Sequence, residues 1–492
     1  MSQNINTLNH DHLSVEPPDQ PVTSLPLVID LDGTLIKSDS LIESFIALIQ
    51  QSPLYAFLVL LWVLRGRAYL KRQISRRASL DVSLLPYNQE LLNYLKVQRD
   101  EGRRLILATG ADEEIARRVA DHLKFFDTIL ASDGITNLSA QHKRDRLVRE
   151  FGEKGFDYAG NSRRDLVVWS SAHKAIVVGS WATFPSIGAQ AVGTERVFIG
   201  REKWLKPYIR ALRPHQWLKN LLVFFPLVMA HRFFELDLVV KAFLAFLAFC
   251  LSASSVYLLN DLVDLPADRH HPRKRQRPFA AGELSLFLGL ISIPLLLGLS
   301  LLVGFFLPFT FLEMLALYYL LNLAYSSYLK RVVLLDVIIL AGLYTLRVMA
   351  GSASVMIWPS TWLLAFSTFL FLSLALVKRY AELVTMGTDT GVVYVRGYQI
   401  MDKELLASLG GGSGYVAVLV LVIYISSGVA EIHYTRHHLI WFLCPLLLYW
   451  ISYVWLIAHR GGMHDDPVVF TFKDRISRVV ILLGAVIFVL AM

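Results

Sequence analysis

A chain of 492 residues that is 54% hydrophobic and only 18% charged is too apolar for an ordinary soluble protein of its length, which excludes a purely aqueous enzyme and points to a membrane. The formal net charge of +8 suits loops facing anionic lipid or phosphorylated substrates, and no nucleic-acid partner is expected. Two cysteines, Cys250 and Cys444, both in apolar runs, exclude a disulfide framework and a cysteine-ligated zinc site.

Residues 1–24 are polar and proline-containing without an apolar h-region, so they read as a disordered lead rather than a signal peptide. From Leu25 the sequence LPLVIDLDGTLIKSD predicts a short apolar strand that ends in two aspartates and a Gly-Thr turn. An aspartate at a strand end can attack phosphorus, so Asp30 is a candidate nucleophile. Asp32, two residues on, can protonate the leaving group, and N–H groups of the turn can hold phosphoryl oxygens.

This DxDGT pattern resembles the first motif of the haloacid dehalogenase superfamily, and further motifs follow in order through residues 25–180. The resemblance implies an α/β Rossmann-like domain in which RLILATGAD is a strand leading to a phosphate-contacting Thr109. It also implies a basic residue, for which Lys143 is preferred over Lys154 and Lys174. FDYAGNSRRDLVVW would be a strand whose end carries metal-binding acids, so that Asp30, Asp32 and Asp165 hold Mg²⁺, and KAIVVG one more parallel strand. The chain departs from the family at Asn161, where the first acid of Gly-Asp-x-x-x-Asp is expected. That sets a working phosphatase against a non-catalytic or regulatory domain. Between the first two motifs a cap is expected at about residues 40–85, with an apolar core of about a dozen residues followed by six Arg/Lys. That core is too short for an ordinary span. It is either a buried cap helix or an interfacial one that lays Leu60, Leu61 and Trp62 into the lipid boundary, and the dense basic flank favours the second.

Residues 181–206 read as a linker, and 207–492 as an all-α polytopic membrane domain. Apolar runs near 217–231, 239–259, 284–303, 309–328, 333–351, 359–378, 414–430, 438–458 and 476–492 give about nine crossings. Cations gather in the loops after the second, fourth, sixth and eighth runs. That alternation predicts an inner (cytoplasmic) membrane protein with the N-terminal domain and these loops in the cytoplasm and the C-terminus outside.

The most informative loop is residues 260–282, NDLVDLPADRHHPRKRQRPFAAG. Asp261, Asp264 and Asp268 fall at spacings of three and four, so a continuing helix would put them on one face, where Mg²⁺ could join them to substrate phosphates. Arg273, Lys274 and Arg277 would grip the remaining phosphate oxygens. The plainer alternative is that the acids cap a helix end and the cations mark the cytoplasmic side. Tyr325, Lys330 and Asp336 could complete a substrate wall, and Lys378, Arg379 and Glu382 close the sixth run. Arg347 lies inside a span, where a charge needs a partner. GGGSG at residues 410–414 reads as a flexible helix start.

Asn260, Asp261, Asp264 and Asp268 together spell the NDxxDxxxD motif of the UbiA superfamily of membrane prenyltransferases. The HPRKRQRPFAAG that follows resembles its decaprenyl-phosphate phosphoribosyltransferase branch, as do RPHQWLKN, which contains Lys219 and Asn220, YSSYLKRVVLLDV at 325–337 and LRVMAG at 346–351. Where many members carry a second aspartate-rich motif this chain has KRYAEL, which argues against a standard prenyl-diphosphate site. The resemblance implies Mg²⁺-dependent transfer from phosphoribosyl pyrophosphate to a polyprenyl phosphate, with the N-terminal domain removing the 5-phosphate. Prenylation of an aromatic acceptor from a prenyl diphosphate, and a non-enzymatic transporter or lipid-binding protein, are the alternatives. A homo-oligomer is compatible with the sequence.

Overall fold

The alternation of the first strand sets the architecture of the N-terminal part: Leu27 and Ile29 point into one core and Val28 into another, all fully buried. The structure, a computed structural model, describes residues 25–52, 54–179, 193–199, 204–389, 394–395, 397–428, 430–431, 434–463 and 466–492, so the expected disordered lead lies outside the described residues. The chain divides into two units, Met1–Glu202 and Lys203–Met492.

In the first unit six strands form one parallel sheet: β1 (Leu27–Ile29), β2 (Leu105–Asp112), β3 (Thr128–Ser132), β4 (Asp157–Gly160), β5 (Lys174–Gly179) and β6 (Gly193–Ile199), in the order β3-β2-β1-β4-β5-β6. Helices Gln89–Asp100 and Glu113–Leu123 supply Leu91, Leu95, Ile115 and Val119 to one core, while Leu147 and Trp169 fill the other. The strand order reverses between β1 and β4, and in such sheets the crevice beyond the carboxyl ends at that point is where ligands bind. β6 corrects the linker reading of residues 181–206, because Gly193–Ile199 pairs along β5 as an edge strand.

The cap is three helices, Ser40–Gln51, Tyr55–Val63 and Arg67–Arg77, inserted after β1. They share a small core of Ala47, Leu48, Ile74 and Ala78, against which Tyr55, Val59 and Trp62 pack. Trp62 therefore turns inward, with Arg77 lying over its ring at 5.2 Å, which corrects its expected place in the lipid boundary. Leu61 is 59% exposed.

The second unit is helical. Six of its helices are long and apolar enough to cross a membrane among the described residues: Leu236–Val263, Leu286–Gly304, Leu335–Val355, Thr361–Thr385, Ile400–Ser426 and His437–His459. Phe309–Ser327 and Arg475–Ala491 are further apolar helices. The run expected at 217–231 is not one α-helix: Pro214–Phe224 is wound as a 3₁₀ segment and only Phe225–Met229 is α-helical. The GGGSG stretch lies inside helix Lys403–Ser426 rather than starting it. A Cβ at Gly414 would come within 2.6 Å of Ile451 Cγ2 and 2.9 Å of Ser373 Oγ, so this glycine lets its helix close on two neighbouring helices.

Candidate functional site

In the first unit the expected phosphoryl-transfer residues gather at the crevice. Asp30, one residue past β1, accepts a hydrogen bond from Lys143 Nζ at 2.8 Å and from the Leu31 N–H at 2.9 Å. Of the three candidate lysines it is Lys143 that reaches this carboxylate; Lys154 is spent on the carbonyls of Ser170 and Ala172, and Lys174 is exposed at the start of β5. Burial raises the Asp30 pKa, Lys143 opposes the rise, and Asp165 adds to it. Asp32 accepts from the Ser40 N–H at 2.7 Å, and its pKa is pushed up to about 7, by burial first and by the charge of Asp39 next.

Thr109 is fully buried in β2, and its Oγ1 accepts from the Ala111 N–H at 3.0 Å. Asp165 is held by its own turn: Oδ2 accepts from the N–H and hydroxyl of Ser162 at 2.9 and 2.7 Å and from the Asn161 N–H at 3.2 Å. Tyr158 on β4, not singled out from the sequence, links the set, since its hydroxyl accepts from Lys143 at 3.0 Å and donates to Asp165 at 2.9 Å. Burial raises the phenol's pKa well above its ordinary value, with Asp30 and Asp165 adding to the rise, which keeps that donor protonated. Gly33, at φ +72°, sits against the Asn161 amide, where a Cβ would collide with it. Thr34 Oγ1, in the same turn, is buried without a hydrogen-bond partner.

The acidic motif of the second unit is built differently from one helix face. The helix ending at Val263 breaks at Asp264, and a second one, Leu265–His270, begins with Pro266 in its first turn. Proline lacks the N–H that a continuous helix would need there. Asp261 and Asp268 turn inward, 2% and 3% exposed, whereas Asp264 stays at the rim with Lys330 Nζ at 3.5 Å. Arg277 Nη1 lies between the two buried carboxylates, 3.1 Å from Asp261 and 2.6 Å from Asp268. Arg213, in the left-handed conformation just before Pro214, also pairs with Asp261 and lies over the Tyr257 ring at 5.2 Å. Asn260 is half-buried, while Arg273 and Lys274 are exposed on the loop.

Two further clusters lie deeper. Lys219 pairs with Asp466 at 2.8 Å, Lys378 with the same oxygen at 3.1 Å, and the Tyr344 hydroxyl donates to Asp466 at 2.9 Å. Lys219 and Lys378 hold the Asp466 carboxyl below its usual range against the cost of burial. Arg347 finds its partners in Asn220 Oδ1 at 2.9 Å and the Tyr318 hydroxyl at 2.9 Å, with its guanidinium 4.8 Å from the Tyr318 ring centre. Asp336 and Arg379 are fully buried against each other, with Tyr398 donating to Asp336 at 2.6 Å and Glu382 on the other side of Arg379. This pair braces two helices, and it holds Asp336, one of the three residues expected in a substrate wall, fully buried on Arg379; Tyr325 lies near the Arg379 charge. Asp466, Arg213 and Tyr344 were not predicted as site residues.

Among the described residues no three His, Cys, Asp or Glu side chains form a closed metal cage. Mg²⁺ needs less, since it takes one or two carboxylates and completes its shell with water and substrate phosphates. The hard oxygens of Asp261 and Asp268, converging on one cationic nitrogen, fit that requirement.

The second unit is a bundle of apolar helices whose buried acids are ringed by cations. Residues 221–476 match the UbiA prenyltransferase family, and the chain belongs to that family. It is similar to the uncharacterized protein y4nM of Sinorhizobium fredii, 36% identical over 473 residues, or 95% of this chain and 91% of that one. The decaprenyl-phosphate phosphoribosyltransferase of Mycolicibacterium smegmatis is 31% identical over 282 residues, covering 56% of this chain and 88% of that one. A UbiA homolog from Archaeoglobus fulgidus, solved bound to GPP and Mg²⁺, superposes on 57% of this chain and 99% of its own with a TM-score of 0.44 and 18% identity.

Proposed function

We propose that the second unit transfers a phosphoribosyl group from phosphoribosyl pyrophosphate to a polyprenyl phosphate, and that the first unit then removes the 5-phosphate. The observation that carries this reading is the number of cations around few acids. Arg213 and Arg277 meet Asp261 and Asp268, Lys330 stands beside Asp264, and Lys219 and Lys378 meet Asp466. The donor brings a diphosphate and a 5-phosphate and the acceptor a third phosphate group, so this pair needs more positive charge than a prenyl diphosphate with a neutral ring. The relatedness to a decaprenyl-phosphate phosphoribosyltransferase supports the same reading.

Asp261, Asp264 and Asp268 would hold Mg²⁺, which when bound neutralises the departing diphosphate. Arg277 and Arg213, already poised on the carboxylates, would turn N–H groups to the diphosphate oxygens. The bond from ribose C1 to the diphosphate breaks, and an oxygen of the polyprenyl phosphate bonds to C1 from the other side. In the first unit Asp30 attacks the 5-phosphorus to form an aspartyl phosphate, Asp32 gives its proton to the leaving ribose oxygen and then takes one from the water that hydrolyses the aspartyl phosphate to free phosphate, and Lys143 and Thr109 hold the phosphoryl group. Asp30, Asp165 and the backbone carbonyl of Asp32 would hold Mg²⁺ there, leaving the Asp32 carboxyl free to carry its proton, with the Asn161 amide in place of a charged ligand. The cation-rich loops would face the cytoplasm across the inner membrane, so the lipid product need not cross it between the two reactions.

The test uses full-length protein in detergent with Mg²⁺, labelled phosphoribosyl pyrophosphate and a polyprenyl phosphate, followed by extraction of lipid-soluble label. Wild type should give polyprenyl-phosphoryl ribose and Asp30→Asn its 5-phosphate. The same phosphorylated lipid from both would remove the phosphatase from the reading. Prenylation of 4-hydroxybenzoate with no ribosyl transfer would replace the transferase assignment.

A further inference from the structure

The cap helix Tyr55–Val63 is apolar all round, yet among its described side chains only one side packs into the cap core. Tyr55, Val59 and Trp62, spaced by four and three, pack into the cap core. On the opposite side Leu54, Phe57, Leu58, Leu61 and Leu64 are 70, 70, 40, 59 and 83% exposed. Their spacings of three and four make one continuous stripe along the helix. Five large apolar side chains in a row at the surface mark a docking face.

The charges around the stripe choose the occupant. From residue 54 to residue 79 the chain has no Asp or Glu and six Arg/Lys. Lys71 and Arg72 reach inward to the carbonyls of Gly110 and Asp133, while Arg65, Arg76 and Arg77 are exposed. A second copy of this chain meeting the stripe about a two-fold axis would set these cations against their own kind. An anionic lipid surface offers the opposite charge and an apolar layer beneath it. Such a surface is always at hand, because the same polypeptide carries six helices able to cross a membrane.

We infer that the cap docks on the surface of an anionic bilayer, inserting Leu54, Phe57, Leu58, Leu61 and Leu64 among the acyl chains with Arg65 and Arg76 at the headgroups. This surface is independent of what either unit catalyses. It leaves Trp62 in the cap core, unlike an arrangement in which the whole helix is immersed.

Full-length protein is reconstituted in vesicles of phosphatidylglycerol with phosphatidylethanolamine, carrying one environment-sensitive dye at Phe57→Cys, Leu61→Cys or, as control, Val97→Cys. Cys250 and Cys444 are buried, so wild type supplies the labelling background. Val97 is 53% exposed on helix Gln89–Asp100, outside the cap. The expected result is blue-shifted emission at 57 and 61, shielding from aqueous iodide, and strong quenching by a nitroxide placed on the acyl chain about 5–10 Å below the headgroup boundary. The control should show none of these. Arg65→Glu with Arg76→Glu should reduce the nitroxide quenching at 61, and so should phosphatidylcholine vesicles. Iodide access at 57 and 61 equal to that at 97 would overturn the inference. So would a blue shift without nitroxide quenching, which would mean that protein, a second copy included, covers the stripe.

Discussion

Replacing Asp39 with Asn tests how the candidate general acid keeps its proton. Asp39 caps helix Ser40–Gln51, its Oδ1 accepting from the N–H groups of Leu41 and Ile42 at 2.9 and 3.1 Å. Asparagine preserves that acceptor and removes the charge. Asp32 is raised from 3.8 to about 7, and Asp39 is the second largest cause after burial. Loss of one nearby like charge should lower the Asp32 pKa by about one unit, or about 1.4 kcal/mol. For catalysis, Asp32 must be protonated, so hydrolysis should fall above about pH 7 in the wild type and about one unit lower in the variant. For stability, the folded chain binds more protons than the unfolded one between pH 3.8 and about 7. The contribution is therefore full below pH 3.8 and is lost as pH rises through the folded value. The variant should gain up to about 1.4 kcal/mol on the alkaline side, reduced by about 0.3–1 kcal/mol for the lost charge at the helix start. The assay is a pH–rate profile on ribose 5-phosphate, whose alkoxide leaving group needs the proton, with thermal melts at both ends of the range. An alkaline limb at the same pH in both proteins would show that Asp32 is not the titrating acid.

Lys143→Met should lower phosphate release from the same substrate by about 10²–10³-fold, because it removes the only lysine on Asp30 among the described residues and a phosphoryl-oxygen donor, with circular dichroism unchanged. Arg277→Ala should cut ribosyl transfer into lipid by at least about 10²-fold, since it leaves Asp261 and Asp268 facing each other across an empty cation position. Arg277→Lys should restore part of the rate, a point charge reaching one carboxylate at a time. Gly414→Leu should cost about 1–3 kcal/mol and lower Tm in detergent, whereas Gly411→Leu, with nothing within 4 Å of its Cβ, should be neutral.

In the first unit the strands that lead to Asp30, Thr109 and Asp165 were legible because each is a short apolar run followed by Asp, Gly or Thr, and their parallel arrangement was implied by the resemblance. β6 was not, since GTERVFI opens with Gly193 and the charged Glu195 and Arg196, leaves only residues 197–199 as an apolar run, and is fixed as a full strand by its pairing with β5. The cap helix illustrates a different limit. A run such as YAFLVLLWV has no polar side to mark its orientation, so the face that meets the core is decided by Ala47, Leu48 and Ile74, which come from elsewhere in the chain.

In the second unit the spacing of Asp261, Asp264 and Asp268 was visible at once, but Pro266 should have warned that the helix would not run through it. Asp466 carries a signal of its own. The loop HRGGMHDDPVVFTFKDR holds cations that set topology and also acids that belong to no motif. Yet Lys219 and Lys378 stand at the ends of apolar runs, where an ammonium without a counter-charge is costly. Asp466 precedes Pro467, the pattern of a helix start, so its carboxylate caps helix Pro467–Lys473 and faces the bundle. Matching buried cations to acids that the known motif leaves unassigned would have pointed to it. The same logic separates the clusters: Asp336 spends its charge on Arg379, a buried brace, whereas Asp261 and Asp268 share Arg277, whose side chain stays partly exposed and which the proposed substrate phosphates would take over.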